Sequence, residues 1–425
     1  MTREMKNSGV EWIGDIPSEW KIIKNKYLLN SLYSGGTPSS ANEDFYSENG
    51  VAFVSISDMS KTKYIYETKK KLTTLGLQDK NLKMLPIGTI LYSIYATIGE
   101  IAELKVEATI SQALLALNIN ENIDKQYYKY NLTAMKDYVF SNANGNTQFN
   151  LNAEKVWNFI LVLPPLLEQK RIADFLDSKV TKIDKIISET KESIGNYKEY
   201  KQSVITEAVT KGLDKNVPMK DSGIEWIGKI PCEWQVAKLK HSIKWKSVKG
   251  NPKGTVLSLY RDYGVIPKDS RDDNHNVTSL DTFTYKVVDV GDFVINKMKA
   301  WQGSMAISEY NGIISPAYHI CQIINPNIYK KYFHYLLRNH LYLPEYTRLS
   351  TGMRIGQWDL GYDDFKNLPF IIPTYDEQVE IAKYLDNKCA EIDNLIAEKE
   401  KLITNLEDYK KSLIYEYVTG KKAVE

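Results

Sequence analysis

The chain contains the same long amphipathic pattern twice, and any fold must house both copies. From Pro164 to Gly212, apolar or long-stemmed residues recur at Ile172, Leu176, Val180, Ile183, Ile187, Ile194, Tyr197, Lys201, Val204 and Ala208. From Pro373 to Lys421 they recur at Ile381, Leu385, Cys389, Ile392, Ile396, Ile403, Leu406, Lys410, Leu413 and Tyr417. Steps of three and four with charges elsewhere specify a helix carrying a narrow apolar seam. A shift of 209 maps Glu168 onto Glu377, Gln169 onto Gln378, Asp184 onto Asp393 and Tyr200 onto Tyr409. At about 1.5 Å per residue each helix would reach roughly 65 to 70 Å. A surface helix of that length cannot keep its seam dry by itself, and the partner at hand is the other copy. Thr374 and Glu377 have capping-box spacing, and Pro165, the equivalent of Thr374, suits a first helical position. Gly195, level with Thr404, forfeits about 1 kcal/mol of helix propensity, so bending or a looser contact is expected there.

A second landmark repeats as well. Ser8-Gly-Val-Glu-Trp-Ile-Gly-Asp-Ile-Pro-Ser-Glu-Trp20 returns as Ser222-Gly-Ile-Glu-Trp-Ile-Gly-Lys-Ile-Pro-Cys-Glu-Trp234, shifted by 214. Trp12, Trp20, Trp226 and Trp234 read as clamps that pack the segment onto a core, because both halves keep them whatever each half binds. The order is anchor, globular part, long helix, and then the same again. This gives residues 1–163 and 214–372 as globular domains, each with its anchor, and 164–213 and 373–425 as the helices.

At 425 residues the chain is long enough for two to four domains with real cores. Apolar content of 43% against 25% charged residues describes a globular protein, not a disordered one. A net charge of +2 gives no general attraction to nucleic acid, so any such binding must be local. Cys232, Cys321 and Cys389 lack metal-ligand spacing and are odd in number, as expected in a reducing compartment. The first 25 residues are polar around Trp12, Pro17 and Trp20, and no run approaches 18 uncharged apolar residues. A cytoplasmic location without membrane contact is expected.

Both globular parts read as mixed α and β. In the first, Val51 to Ser57 alternates like a strand, and Ile90-Leu-Tyr-Ser-Ile-Tyr-Ala96 is a second. Ile110 to Leu117 is a further apolar run, Asp124 to Tyr138 looks helical, and a strand is expected near Trp157 to Leu163. In the second, Val290-Gly-Asp-Phe-Val-Ile-Asn296 stands where Ile87 to Ser93 stood. Gly303-Ser-Met-Ala306 stands for Gly99-Glu-Ile-Ala102, and Asn327 to Tyr342 stands for the helix. Scaffold positions match and polar ones differ, as two readout specificities on one scaffold would require.

No catalytic constellation stands out. The sequence has no Walker A loop, no Gly-x-Gly-x-x-Gly after a strand and no His-Glu-x-x-His. Leu163-Pro-Pro-Leu166 lacks the polar and aromatic residues of an amino-methyltransferase signature, and His334 and His340 are poorly spaced as ligands on one helix face. Basic and aromatic loop positions carry more promise. Lys69, Lys70 and Lys71, which could also be a plain solvated face, lie in the first part with Tyr92, Ser93, Tyr95, Asn146 and Gln148. Lys253, Lys297, Lys299, Trp301, Arg354 and Gln357 lie in the second, among Lys244, Trp245, Lys246, Lys249, Arg348 and Trp358. Amines for phosphates beside amides, hydroxyls and guanidinium groups for base edges suit duplex DNA.

These features together resemble the specificity subunit of type I restriction-modification systems. The resemblance spans nearly the whole chain. It rests on the two Gly-Val/Ile-Glu-Trp-Ile-Gly-x-Ile-Pro-x-Glu-Trp segments and on Leu163-Pro-Pro-Leu-Leu-Glu-Gln-Lys-Arg-Ile-Ala173 with Ile372-Pro-Thr-Tyr-Asp-Glu-Gln-Val-Glu-Ile-Ala382. Gly145-Asn-Thr-Gln-Phe-Asn150 adds to it, although the second half has Thr351-Gly-Met-Arg-Ile355 there. The resemblance implies an α+β chain with two target recognition domains of mixed α/β structure. Two long antiparallel helices would join them as a coiled coil, giving an internal pseudo-twofold repeat. Each domain would read half of a split double-stranded DNA site across a fixed spacer. The chain would be non-catalytic and hold no cofactor. Two methyltransferase subunits and the restriction or translocase subunits would dock on the helices and use S-adenosylmethionine, ATP and Mg²⁺. Ile172, Leu176, Ile183, Ile187, Ile381, Leu385, Ile392 and Ile396 are the expected coiled-coil and docking positions. The competing reading is a duplicated coiled-coil scaffold that binds proteins, which leaves the differing polar loops without a purpose.

Overall fold

A computed structural model describes residues 3–59, 62–141, 151–249, 254–261, 263–270, 282–352 and 358–424. The chain forms two compact units, one of residues 1–190 with 401–425 and the other of residues 191–400. Each long helix therefore contributes to both.

In the first unit the strands are β1 (Lys21–Lys24), β2 (Leu29–Ser34), β3 (Tyr46–Val54), β4 (Tyr64–Ile65), β5 (Lys70–Leu72), β6 (Ile90–Ser93), β7 (Ile101–Leu104), β8 (Ala108–Ile110) and β9 (Leu114–Ile119). Helix α1 (Lys125–Ala134), strand β10 (Ile160–Leu163) and the long helix α2 (Leu166–Lys211) follow. A five-stranded sheet runs β2-β9-β6-β7-β4, a three-stranded one runs β8-β3-β5, and β10 pairs with β1. The central strands are buried on both faces. Ile90, Tyr92, Leu115 and Leu117 point into the core shared with α1 and α2, whereas Leu91, Leu114 and Ala116 point into a second core against Val54 and Ile110. Continuous apolar runs are what doubly covered strands require. The run expected from Ile110 to Leu117 is broken at Ser111–Ala113 into β8 and β9. The helix expected to Tyr138 starts where Asp124 caps it, accepting the Gln126 and Tyr127 N–H groups, and pauses at Met135.

The second unit rebuilds this frame. It contains β11 (Gln235–Lys238), β12 (Ile243–Lys246), β13 (Lys286–Val288), β14 (Phe293–Asn296), β15 (Met305–Ile307), β16 (Gly312–Ile314) and β17 (Tyr318–Ile323). After them come α3 (Lys330–Leu337), β18 (Pro369–Ile372) and the long helix α4 (Tyr375–Val418). Its main sheet runs β12-β17-β14-β15, matching β2-β9-β6-β7, and β11 pairs with β18 as β1 does with β10.

Within the first unit the start of α2 lies antiparallel to the end of α4. Phe175 meets Tyr417 with ring centroids 4.5 Å apart, and further along α2 Asp184 takes the Lys410 ammonium at 2.8 Å. Within the second unit Tyr197 faces Lys399, and Lys201 reaches Asp393 at 2.6 Å. The pairs Asp184–Lys410 and Lys201–Asp393 are the same contact shifted by 209 positions.

Each unit ties the helices to its globular part through equivalent contacts. Gln169 accepts the Asp124 N–H at 2.7 Å, and Gln378 accepts the Tyr329 N–H at 2.8 Å. The Tyr127 hydroxyl points at the Val162 and Val418 carbonyls, 3.1 Å from each, and the Tyr332 hydroxyl repeats this at Val209 and Ile371, 3.2 Å from each. Asp177 receives Gln126 and Tyr130 of α1, as Asp386 receives Lys331 and Tyr335 of α3. The capping box forms only in part. Thr374 accepts the Glu377 N–H at 3.4 Å, but the Glu377 carboxylate turns away to accept the Trp234 indole N–H.

Helix α2 runs unbroken through Gly195, and a Cβ built there meets nothing within 4 Å. Gly195→Ala is expected to stabilise the protein by up to about 1 kcal/mol, since only backbone entropy changes. A rise in the denaturation midpoint checks this; a fall would reveal a packing role for the glycine.

A buried charge cluster supports the first unit. Glu103 of β7, 6% exposed, takes Lys105 at 2.8 Å and Lys129 at 3.0 Å, with Lys125 at 3.6 Å. Burial pushes its carboxyl up, but hydrogen bonds from Lys105 and Lys129 and the charges of Lys129 and Lys125 outweigh it, holding the pKa down at about 2. A depressed carboxyl stabilises the fold above its ordinary value of 4.5, and that contribution is lost as pH falls toward 2. Glu103→Gln is expected to cost about 2 kcal/mol at neutral pH, discounted because two of the lysines are partly solvated. Its stability should also fall less steeply between pH 4.5 and 2 than that of the parent, as denaturation midpoints across that window would record.

Candidate nucleic-acid interface

The expected contact residues separate into exposed, buried and internally paired groups. Lys69, Lys70 and Lys71 are exposed at β5, where they line a groove with Tyr46, Ser47 and Thr68. The Lys69 N–H is held by Asp58 at 2.9 Å, and the Lys70 ammonium lies 5.4 Å from the Tyr46 ring centre. Tyr95 is exposed in the β6–β7 turn. Tyr92 and Ser93, expected beside it as DNA contacts, are fully buried. Tyr92 packs edge-on to Phe159, while the Ser93 hydroxyl donates to the Thr97 carbonyl and accepts the Glu100 N–H, so neither presents an atom to a ligand.

In the second unit Lys299 is exposed and, among the described residues, makes no ion pair. Lys297 is half-buried and bound to Asp359 at 2.9 Å. Trp301 is half-buried against Trp358, centroids 5.4 Å apart, and its indole N–H has no partner among the described residues. Two other basic residues are tied up: Lys246 by Asp289 and Asp292, and Arg348 by Glu345. Asn146, Gln148, Lys253, Arg354 and Gln357 lie outside the described residues.

Sequence reasoning missed Lys286. Its ammonium, nearly buried, donates to the Tyr318 carbonyl at 2.6 Å and the Pro316 carbonyl at 3.2 Å, directly behind the start of β17. Burial lowers its pKa first, and the nearby charges of Lys297 and Lys249 lower it further. A lone lysine in an apolar strand was its only sequence signal. Nearby, Trp245 is exposed and stacks on Tyr362 at 5.6 Å. Cations around an exposed aromatic ring favour a polyanion that also offers flat apolar surface.

The helix positions pack as a seam. Ile172, Leu176, Ile183, Ile187, Ile381, Leu385, Ile392 and Ile396 are all buried. They cannot also form the surface on which other subunits dock, because their side chains are enclosed by this chain. Among the described residues no helix is long and apolar enough to cross a membrane, and no His, Cys, Asp or Glu cluster could hold a metal ion.

A family model described as type I restriction modification DNA specificity domain matches residues 17–196 and 231–405, one copy for each repeat. A putative type I restriction enzyme specificity subunit, MjaX, of Methanocaldococcus jannaschii is 25% identical over 97% of this chain and 96% of its own length. Among solved structures, a chain from a study of assembly and conformational transition in a type I R-M system superposes with TM-score 0.67 at 16% identity, covering 96% of this chain and 99% of that one. The HsdS subunit from Thermoanaerobacter tengcongensis superposes with TM-score 0.51 at 16% identity, covering 98% of this chain and all of that one. With two matched copies accounting for most of its length, the chain belongs to the family of type I restriction modification DNA specificity domains, as a DNA-recognition subunit rather than a catalytic one.

Proposed function

We propose that each unit reads one half of a split, asymmetric duplex site, and that α2 and α4 set the length of the unread spacer between the halves. Residues 1–163 and 214–372 are the two target recognition domains in this reading, and 164–213 and 373–425 are the ruler. The observation that carries it is a frame repeated down to single hydrogen bonds beneath surfaces whose polar side chains differ. Two unlike heads on one chain bind a two-part site with their phosphate contacts adding, while either head alone binds weakly.

The reading includes docking of two methyltransferase subunits, with restriction subunits joining them, in the cytoplasm. Exposed apolar residues on the helices support this: Ile186 recurs as Leu395 and Tyr200 as Tyr409, all four open to solvent. Apolar positions repeated by 209 offer the same foothold twice, which suits two copies of one partner. Methyl transfer and ATP-driven steps then belong to those partners. Co-purification with the methyltransferase subunits, followed by methylome sequencing, tests the proposal. A two-part motif with a fixed gap is expected; a single continuous motif, or a complex with no sequence preference, would contradict it.

A further inference from the structure

Two turns occupy the same place in the two units and carry different chemistry. In the first unit, strand β6 ends where the Ser93 N–H bonds the Glu100 carbonyl and the Ile94 N–H bonds the Ala113 carbonyl, 3.0 Å each. In the second, the Asn296 N–H bonds the Ser304 carbonyl at 3.0 Å and the Lys297 N–H bonds the Ala317 carbonyl at 3.3 Å. The frame is the same, but one turn carries Tyr95, Ala96 and Thr97 where the other carries Met298 and Lys299. Ala96 holds φ +55°, a left-handed conformation that a non-glycine residue keeps only when its surroundings impose it. The Ser93 hydroxyl bonds the Thr97 carbonyl and the Glu100 N–H within this turn, and Tyr95 is exposed on it.

The neighbouring turn extends the same surface. Ala113, which receives the Ile94 N–H, follows the exposed Gln112, whose side-chain oxygen accepts a hydrogen bond from the Thr37 hydroxyl. Gly35 makes that approach possible, since a Cβ there would lie 2.0 Å from the Ile110 carbonyl oxygen. In the second unit Pro316 stands in the place of Gln112, and the Lys286 ammonium lies behind it. One surface therefore offers an amide, a hydroxyl and a phenol, whereas the other offers the exposed ammonium of Lys299. An amide suits the N6/N7 edge of adenine, and an ammonium suits the O6/N7 edge of guanine.

We infer that these turns are the base-reading elements: Thr37, Tyr95 and Gln112 determine the sequence of one half-site, and Lys299 contributes to the other. This rests on the DNA-recognition reading and adds the residues that select the bases. Thr37 holds the Gln112 oxygen, which leaves the amide N–H groups aimed by the protein instead of averaging over rotamers.

The test uses the complex of this chain with its methyltransferase subunits and duplexes altered one base pair at a time across both half-sites. The parent complex is expected to discriminate by roughly tenfold or more at read positions. Gln112→Ala should abolish discrimination at one or two base pairs of a single half-site, with the other half and binding to random duplex unchanged. Lys299→Ala should act on the opposite half and also weaken binding to random duplex, because it removes a charge. Ala96→Gly removes a single methyl group, leaves Tyr95, Thr37 and Gln112 in place and should reduce discrimination in the half that Gln112 affects. Parent-like discrimination at every position in all three variants overturns the inference and leaves the DNA-recognition reading intact. A parent complex that discriminates nowhere overturns that reading itself.

Discussion

Trp20→Ala is expected to cost the first unit about 3 to 5 kcal/mol, as does truncation of a large buried aromatic side chain elsewhere. Trp20 is fully buried, with the Arg3 guanidinium 5.1 Å from its ring centre. Its indole N–H donates to Glu168, in the first turn of α2, at 2.9 Å. The backbone just past α4 crowds its other side so closely that a Cβ on Gly420 would come within 2.9 Å of the ring. One side chain thus fastens the anchor segment, the start of one long helix and the end of the other. Its loss opens a cavity and leaves the carboxylate without a neutral donor. Trp234 occupies the same junction in the second unit, donating to Glu377 at 2.9 Å beside Gly212, so Trp234→Ala should carry a similar cost. Chemical denaturation of both variants checks this, and a loss below about 1 kcal/mol in either would show that the anchors are dispensable.

That junction was only half legible in the sequence. The paired tryptophans read correctly as packing residues, and Glu168 and Glu377 were visible as a repeated pair. Their connection was not, because it closes between residues 148 apart in the first unit and 143 apart in the second. The helices themselves were plain from their seams, since a period of three and four over more than ten turns has no competing interpretation. Less visible was the interleaving, in which residues 401–425 pack with residues 1–190. The two seams pointed to each other as partners but not to their register, which contacts such as Asp184 with Lys410 reveal.

The interface was harder to read. Tyr92 and Tyr95 sit three residues apart in one apolar run, and composition cannot separate them. The sheet is covered on both faces, so Tyr92 is enclosed, and only the turn beyond Ser93 brings Tyr95 to the surface. Lys246 looked like a phosphate contact until Asp289 and Asp292 folded onto it from more than forty residues away. Gln112 and Thr37 were passed over because neither is basic or aromatic, and their pairing depends on the close approach of Gly35 to β8.

In the proposed function the long helices act as a ruler, and shortening them tests that role most directly. Four residues would be removed from each of α2 and α4 at the level where Tyr197 meets Lys399, which takes out slightly more than one helical turn and keeps the seams nearly in phase. The helices lose about 6 Å, close to two base pairs at about 3.4 Å each. Methylome sequencing of the assembled variant should return both half-sites unchanged with a gap shorter by one or two base pairs. Retained methylation at the original gap would mean that something other than the helices sets the spacing.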